Sequence, residues 1–416
     1  MEAILKYSYQ IHKYKNGHQL SSSSIVLDRI DQDTVDRLSD ISGQVRPGEL
    51  FGPYFTCYPL PSNKFFIIAR TWQDLRAPRA GCVVTKSILI PMEEWELLGD
   101  FSSLFLDLNR PPLDVGNSLE VTTSPFQAPT PDSPTQEIVE ALFLEQRKPV
   151  LVFDCKSADS IIYKLYSALW PGMRRTFASC TFALSPRTIN GRSFDLIFSL
   201  SGLRSRFVDW PGRRVEGWQS LTRTPRHRWT KRLTERIFND ERPSLFSKSS
   251  VSMFKSGGTN DESRIRLGLL WDELFHKAQR ENSPFAVLGL LDIINSQNVF
   301  ESQLYAQVEP LIYSAIVEAR HTLGPLDAWK FYAAVSLKHK KKLMNRDMVR
   351  LVREACAELT MEEPYWSFEF FKDNESTGKT LPALLYASFG DGIAENKDII
   401  SSIVDSFIPR TGLLLI

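Results

Sequence analysis

Arginine and tryptophan crowd two stretches of this chain. The first holds Arg70, Trp72, Arg76 and Arg79, at the bend between two apolar runs, Phe65–Ala69 and Ala80–Ile90; Lys86 sits inside the second run. Guanidinium groups beside an indole can hold an anion or anchor a protein partner. The plainer reading is that an arginine after a buried strand forms an internal ion pair, here with Asp74 or Asp40, and that Trp72 packs in the core. The second stretch is residues 203–236, with ten Lys/Arg against three Asp/Glu and with Trp210, Trp218 and Trp229 interleaved. Its candidate surface is Arg204, Arg206, Arg213, Arg214, Trp218, Arg223, Arg226, Arg228, Lys231 and Arg232. Cations neutralise phosphates and aromatic planes stack on bases, so this composition fits nucleic acid. It equally fits a protein interface, or a solvated surface whose arginines pair with acidic neighbours.

Covalent catalysis finds less support. Cys57, Cys82, Cys155 and Cys180 lie in or beside apolar runs, and His12 and His18 share the first predicted hairpin. A cryptic cysteine hydrolase is therefore one reading, but a buried cysteine usually behaves as a small hydrophobe. Gly-x-Ser-x-Gly, His-Glu-x-x-His and Cys-x-x-Cys are absent from the sequence. Six scattered histidines and five scattered cysteines argue against a metal centre and against a disulfide framework, and fit a reducing cytoplasm. Thr377-Gly378-Lys379-Thr380 resembles the end of a P-loop after a strand-like Trp366–Phe371. The first glycine of that motif is replaced by Asp373, which would repel phosphate, so an ordinary loop is expected. No catalytic residue, cofactor or metal ligand is assigned, and the chain is expected not to be an enzyme.

Positioning these residues requires a sheet and several helices. The 416 residues, 43% hydrophobic and 24% charged, are enough for two or three domains with sizeable cores. Lys plus Arg is 50 and Asp plus Glu is 49, so overall charge selects no partner. No signal-peptide core or membrane-length apolar run is visible. Residues 1–108 read as a β-rich module. It has strands at 4–14 and 19–27 around the Asn16-Gly17 turn, and a helix over 31–42 capped by Asp31 or Asp33. A strand at 54–60, the hairpin over 65–92 and a helix over 93–108 follow. Six prolines mark 109–134 as a linker or long loop. Residues 135–242 read as an α/β module. A helix with Ser133 as cap and Pro134 first leads in, followed by a strand at 149–154, a helix over 157–169, and strands at 176–184 and 193–200. A Ser/Gly-rich linker, 243–261, then leads to helices over 262–416, in which no fixed repeat appears. The basic run 337–343 is expected to cap the helix before it. The expected class is α+β: a mixed, mainly antiparallel N-terminal sheet with flanking helices, then an α-helical C-terminal domain.

Several segments carry a resemblance. They are Tyr14-Lys15-Asn16-Gly17-His18, Leu38-Ser39-Asp40, Tyr58-Pro59-Leu60, Ala69-Arg70-Thr71-Trp72, residues 79–85 with Leu89-Ile90, and residues 176–184. Together they resemble the N-terminal module of the GTPase-associated proteins of bacterial conflict (anti-phage) systems. The resemblance covers roughly residues 1–215; Lys86 departs from it, standing where the pattern has His after Val-Thr. It implies a cytoplasmic sensor, adaptor or scaffold. Its partners would be proteins encoded nearby, a GTPase or another NTPase. The resemblance supplies no catalytic residues.

Overall fold

The computed structural model describes residues 6–46, 48–77, 79–112, 126–218, 222–246, 261–296, 302–339 and 345–395. Contacts divide the chain into two units, Met1–Leu245 with Thr259–Ile265, and Phe246–Gly258 with Arg266–Ile416.

Apolar side chains run consecutively along the central strands of the first unit, as in Phe65–Ile68 and Val150–Phe153. A strand buried on both faces must have cover on each side. The longest strands of this kind are β3 (Tyr54–Pro59), β4 (Phe65–Gln73) and β5 (Val83–Pro91), following β1 (Ser8–Tyr14) and β2 (His18–Ser23). Later come β6 (Val150–Phe153), β7 (Ser179–Cys180), the small hairpin of β8 (Thr188–Ile189) and β9 (Arg192–Ser193), β10 (Leu196–Ser199) and β11 (Arg213–Glu216). One nine-stranded sheet has the order β11-β6-β10-β7-β3-β4-β5-β1-β2. The strands from β3 to β2 pair antiparallel, whereas β11, β6, β10 and β7 run parallel. β7 joins the two halves by pairing antiparallel with β3. Strands from either side of residues 109–134 thus share one sheet. The mixed sheet with flanking helices, followed by a helical region, is the expected α+β class.

Several local expectations need correction. The first helix is Arg29–Ser39, and Asp28 caps it by accepting from the Asp31 N–H at 3.0 Å. Asp31 instead accepts from the Ser62 backbone and hydroxyl, tying the helix start to the β3–β4 turn. The helix expected over 93–108 is two, Met92–Leu97 and Ser102–Leu108; Leu98 is extended, and Phe101 turns inward to lie tilted against Trp95. Ser133 is no cap: Pro134 takes that position without a side-chain bond, and helix Thr135–Val139 runs on as a π-turn, Glu140–Leu144. Within 176–184 only Ser179–Cys180 pairs as strand, because the parallel partner β10 meets it over two residues. Two glycines seat β11 on β6. A Cβ on Gly212 would stand 1.7 Å from the Pro149 carbonyl, and one on Gly217 would stand 2.1 Å from that of Phe153.

The second unit packs helices Arg346–Glu362, Pro364–Ser376 and Ala383–Glu395 with Pro284–Ser296, Ser302–Thr322, Pro325–His339 and part of Asp261–Arg280. Trp329 is at its centre: it stacks on Phe370 at 5.5 Å and donates from Nε1 to Ser367 Oγ at 2.9 Å. Residues 366–371 are therefore helical, not a strand. Pro364 opens the helix, and packing of Phe368, Phe370 and Phe371 overrides the strand preference of aromatic residues. Thr377 is that helix's C-cap, and Gly378 follows it with φ +67°, a left-handed stop rather than a phosphate loop. The basic run's residues 340–344 and the linker's residues 247–260 lie outside the described residues. Among the described residues no helix is long and apolar enough to cross a membrane.

Candidate functional site

β4 and β5 pair over nine positions, with Arg70 opposite Lys86. Opposed residues share a face, so two cations stand side by side where the sheet meets helix Ser102–Leu108. Like charges in that position repel unless acids intervene. The chain supplies them from two helix ends. Asp107, in the last turn of Ser102–Leu108, takes the Lys86 ammonium at 2.9 Å. Asn109, just past that helix, accepts from Arg70 Nη1 at 2.5 Å. Asp159, in the first turn of helix Ala158–Ala168, lies 3.7 Å from Arg70 Nη2. The Arg70 guanidinium also lies over the Phe55 ring, 4.3 Å from its centroid.

Burial governs this group's electrostatics. Arg70 is 2% exposed, and its Nε has no partner. Burial pulls the basicity of Arg70 down, and Asp159 opposes that. Burial pushes the Asp159 carboxyl up, against Arg70 and Thr181. The partner of Arg70 is thus Asp159, with Asn109, and not Asp74 or Asp40. Asp74 instead accepts from the Arg76 backbone N–H within its own turn. The residues singled out at this bend separate in space. Trp72 is buried in the core with Arg70, Lys86 is half-buried, and Arg76 and Arg79 are exposed on the turn.

The opposite face carries His12 and His18, the histidines considered for a Cys–His pair, and Arg187, to which sequence reasoning assigned no role. His12 on β1 is wholly buried; its Nε2 meets Asp36 Oδ1 at 2.8 Å, and its Nδ1 has no partner. His18 on β2 stacks on it with ring centroids 5.8 Å apart and meets Ser39 Oγ through Nε2 at 2.9 Å. Burial lowers both imidazole pKa values, against Asp36 for His12 and Asp40 for His18. Buried Arg187 donates to the carbonyls of Leu38 and Asp40 at 2.8 and 2.7 Å, satisfying the end of helix Arg29–Ser39. No local signal announces Arg187, which meets that helix from 149 residues away.

The thiols do not meet these histidines in any described hydrogen bond. Cys57 and Cys180 are buried, with the Cys57 thiol pushed well above its usual range by desolvation. Cys180 Sγ donates to the Phe182 carbonyl. Cys155, also desolvated, is pushed up to about 12. Such thiols are poor nucleophiles. No cluster of three or more His, Cys, Asp or Glu able to hold a metal ion occurs among the described residues.

The basic stretch meets an acidic helix. Glu137, Glu140 and Glu145 project from the 135–145 segment toward it. Arg213 pairs with Glu145 and Glu137, and Arg223 with Glu140 and Glu137. Glu140, fully buried, also accepts from the Arg226 N–H at 2.7 Å and the Thr230 hydroxyl at 2.9 Å. Arg204 grips both oxygens of Glu216, each at 2.6 Å, and Arg206 and Arg214 donate to backbone carbonyls. Arg228 stacks on Trp229 at 4.4 Å. Lys231 is exposed, Arg232 half-buried and Trp218 64% exposed. Much of the guanidinium charge is thus spent inside the unit.

The sheet, its inward-facing charges and the helical unit after it define a mixed-sheet α+β protein with a helical extension. Residues 6–108, spanning β1 to β5 and ending with the helix that carries Asp107, match the family described as GTPase-associated protein 1, N-terminal domain type 1. Arg70, Lys86 and Asp107 fall within the match; Asp159 and the basic stretch lie beyond it. No curated protein and no solved structure matches the chain.

Proposed function

We propose that this chain is a non-enzymatic adaptor or scaffold that binds a GTPase through its N-terminal module. The observation carrying this is the match of residues 6–108 to the N-terminal domain of GTPase-associated protein 1. In support, the groups in this module best suited to chemistry are engaged with one another. Arg70 and Lys86 face Asp159, Asn109 and Asp107, and the His12 and His18 Nε2 atoms meet Asp36 and Ser39. The setting proposed is a multi-gene bacterial defence system whose GTPase or other NTPase is encoded beside this chain. Co-purification with the GTPases encoded by neighbouring genes, loaded with GDP or with a non-hydrolysable GTP analogue, tests the reading. A complex that forms with the full chain and prefers one nucleotide state is expected. A chain that stays monomeric with every neighbouring GTPase in both states would overturn it.

A further inference from the structure

The ladder between β1 and β5 runs from Ser8 opposite Leu89 to His12 opposite Thr85 and ends there. β1 and β2 continue beyond it, with Lys13 facing Gln19 and Tyr14 facing His18. The end of the first hairpin is thus a two-stranded ribbon at the border of the sheet. Such a ribbon is only marginally stable in water unless something packs on it. Helix Arg29–Ser39 supplies that support through two imidazoles: His12 Nε2 meets Asp36 Oδ1 at 2.8 Å, and His18 Nε2 meets Ser39 Oγ at 2.9 Å. The helix itself is held independently. Its Ser39 carbonyl accepts from Thr85 Oγ1 at 2.6 Å, and Arg187 donates to the carbonyls of Leu38 and Asp40.

These bonds fix the protons on the rings. A carboxylate only accepts, so His12 donates from Nε2 and its Nδ1 is bare. The Ser39 hydroxyl donates to the Asp36 carbonyl at 2.8 Å, so His18 also donates from Nε2. A proton arriving on His12 Nδ1 would make a fully buried donor with no acceptor. A second proton, on His18, would sit in a ring stacked on the first, with centroids 5.8 Å apart. From the helix and its cap the pair faces Asp36 and Asp40, which favour the cations; β5 presents Thr85, which is uncharged. Burial outweighs both carboxylates.

We propose that His12 and His18 are a proton-operated latch for the tip of the first hairpin, residues 12–20. With both rings neutral the tip is fastened to helix Arg29–Ser39; proton uptake releases it while the rest of the sheet stays folded. Release lets water reach His12 Nδ1 and lets the two charged rings part. The latch needs no partner, so it stands whether or not the N-terminal module binds a GTPase.

Hydrogen exchange of the full chain, read by mass spectrometry at about pH 7.5 and about pH 5.5 and corrected for the intrinsic pH dependence of exchange, tests the proposal. An imidazole freed to its ordinary pKa of about 6.5 favours the open form by up to about tenfold at the lower pH. Peptides covering residues 12–20 should therefore lose up to about tenfold in protection for each ring released. Peptides from β3, β4 and helix Arg29–Ser39 should keep their protection and so report an intact fold. The double variant His12→Asn with His18→Asn should show no pH-dependent difference at the tip. Unchanged protection at the tip, an equal loss in β4, or the same pH-dependent loss in the double variant would overturn the proposal.

Discussion

Arg70 and Lys86 stand directly opposite each other on β4 and β5, two cations on one face of the sheet, and each leans on an acid from a different helix. The pairing turns an electrostatic conflict into a fastening. Arg70 cannot dispense with Asp159 without leaving charge at a place with little water, whereas the Lys86–Asp107 pair stays partly open to solvent. The sheet is thereby tied to helices Ser102–Leu108 and Ala158–Ala168, which come from well-separated parts of the chain.

Removing Arg70 should be costly. Arg70→Met leaves Asp159 desolvated beside an apolar side chain, and a loss of about 3 kcal/mol in urea-unfolding stability is expected. Adding Asp159→Asn should recover most of it, because the stranded charge is then gone. Equal losses in the single and double variants would show that packing over Phe55, not charge, is what Arg70 provides.

The partly exposed half of the network should be worth less. Water reaches both Lys86 and Asp107, so Asp107→Asn should cost no more than about 1 kcal/mol, and added salt should shrink the difference. A double-mutant cycle with Lys86→Gln measures the coupling directly.

The histidine pair should make stability depend on pH. Burial lowers both imidazole pKa values in the folded protein, so the unfolded chain binds protons more readily. Stability from this source is complete above the ordinary histidine value of about 6.5 and declines as pH falls below it. Denaturant titrations from pH 8 down to pH 5, conditions chosen to bracket about 6.5, should show that decline, and His12→Asn should flatten it. An unchanged slope in the variant would place the dependence elsewhere.

Glu140 should matter more to the basic stretch than any single exposed cation does. It is buried and accepts from Arg223, the Arg226 N–H and Thr230. Glu140→Gln should cost about 2 kcal/mol or more, while Lys231→Gln, on the surface, should stay within about 0.5 kcal/mol. A filter-binding salt titration with single-stranded and duplex DNA should give a log–log slope near zero. A steep slope that vanishes on charge reversal at Arg226 and Arg228 would restore the nucleic-acid reading.

β11 should depend on its bracketing glycines. The Cβ of Gly217→Ala would meet the Phe153 carbonyl and the Asp154–Cys155 peptide, so backbone must move. Loss of β11 pairing is expected, seen as faster hydrogen exchange in β6, at a cost of about 3 kcal/mol.

Much of the architecture was legible in the residues. The Asn16-Gly17 turn, with φ of +61° and +144°, announced the first hairpin. The apolar runs at 54–60, 65–69 and 80–90 announced central strands, and the long helical periodicities beyond 262 announced the second unit. These are local signals, in which propensity and periodicity act on neighbours in sequence. The partners of charged residues were not legible. Arg70 was matched with acids close in sequence or in expected position, but its carboxylate comes from Asp159, 89 residues on. Arg213 and Arg223 found theirs on the segment that ends at Glu145. Arg187 gave no sign of closing a helix end. Sequence determined which segments become strands and helices and which residues carry charge. Only the tertiary structure decided which charges face each other, because pairing follows from the order of strands in the sheet. Desolvation then makes those few ångströms decide whether an arginine is a site or a fastening.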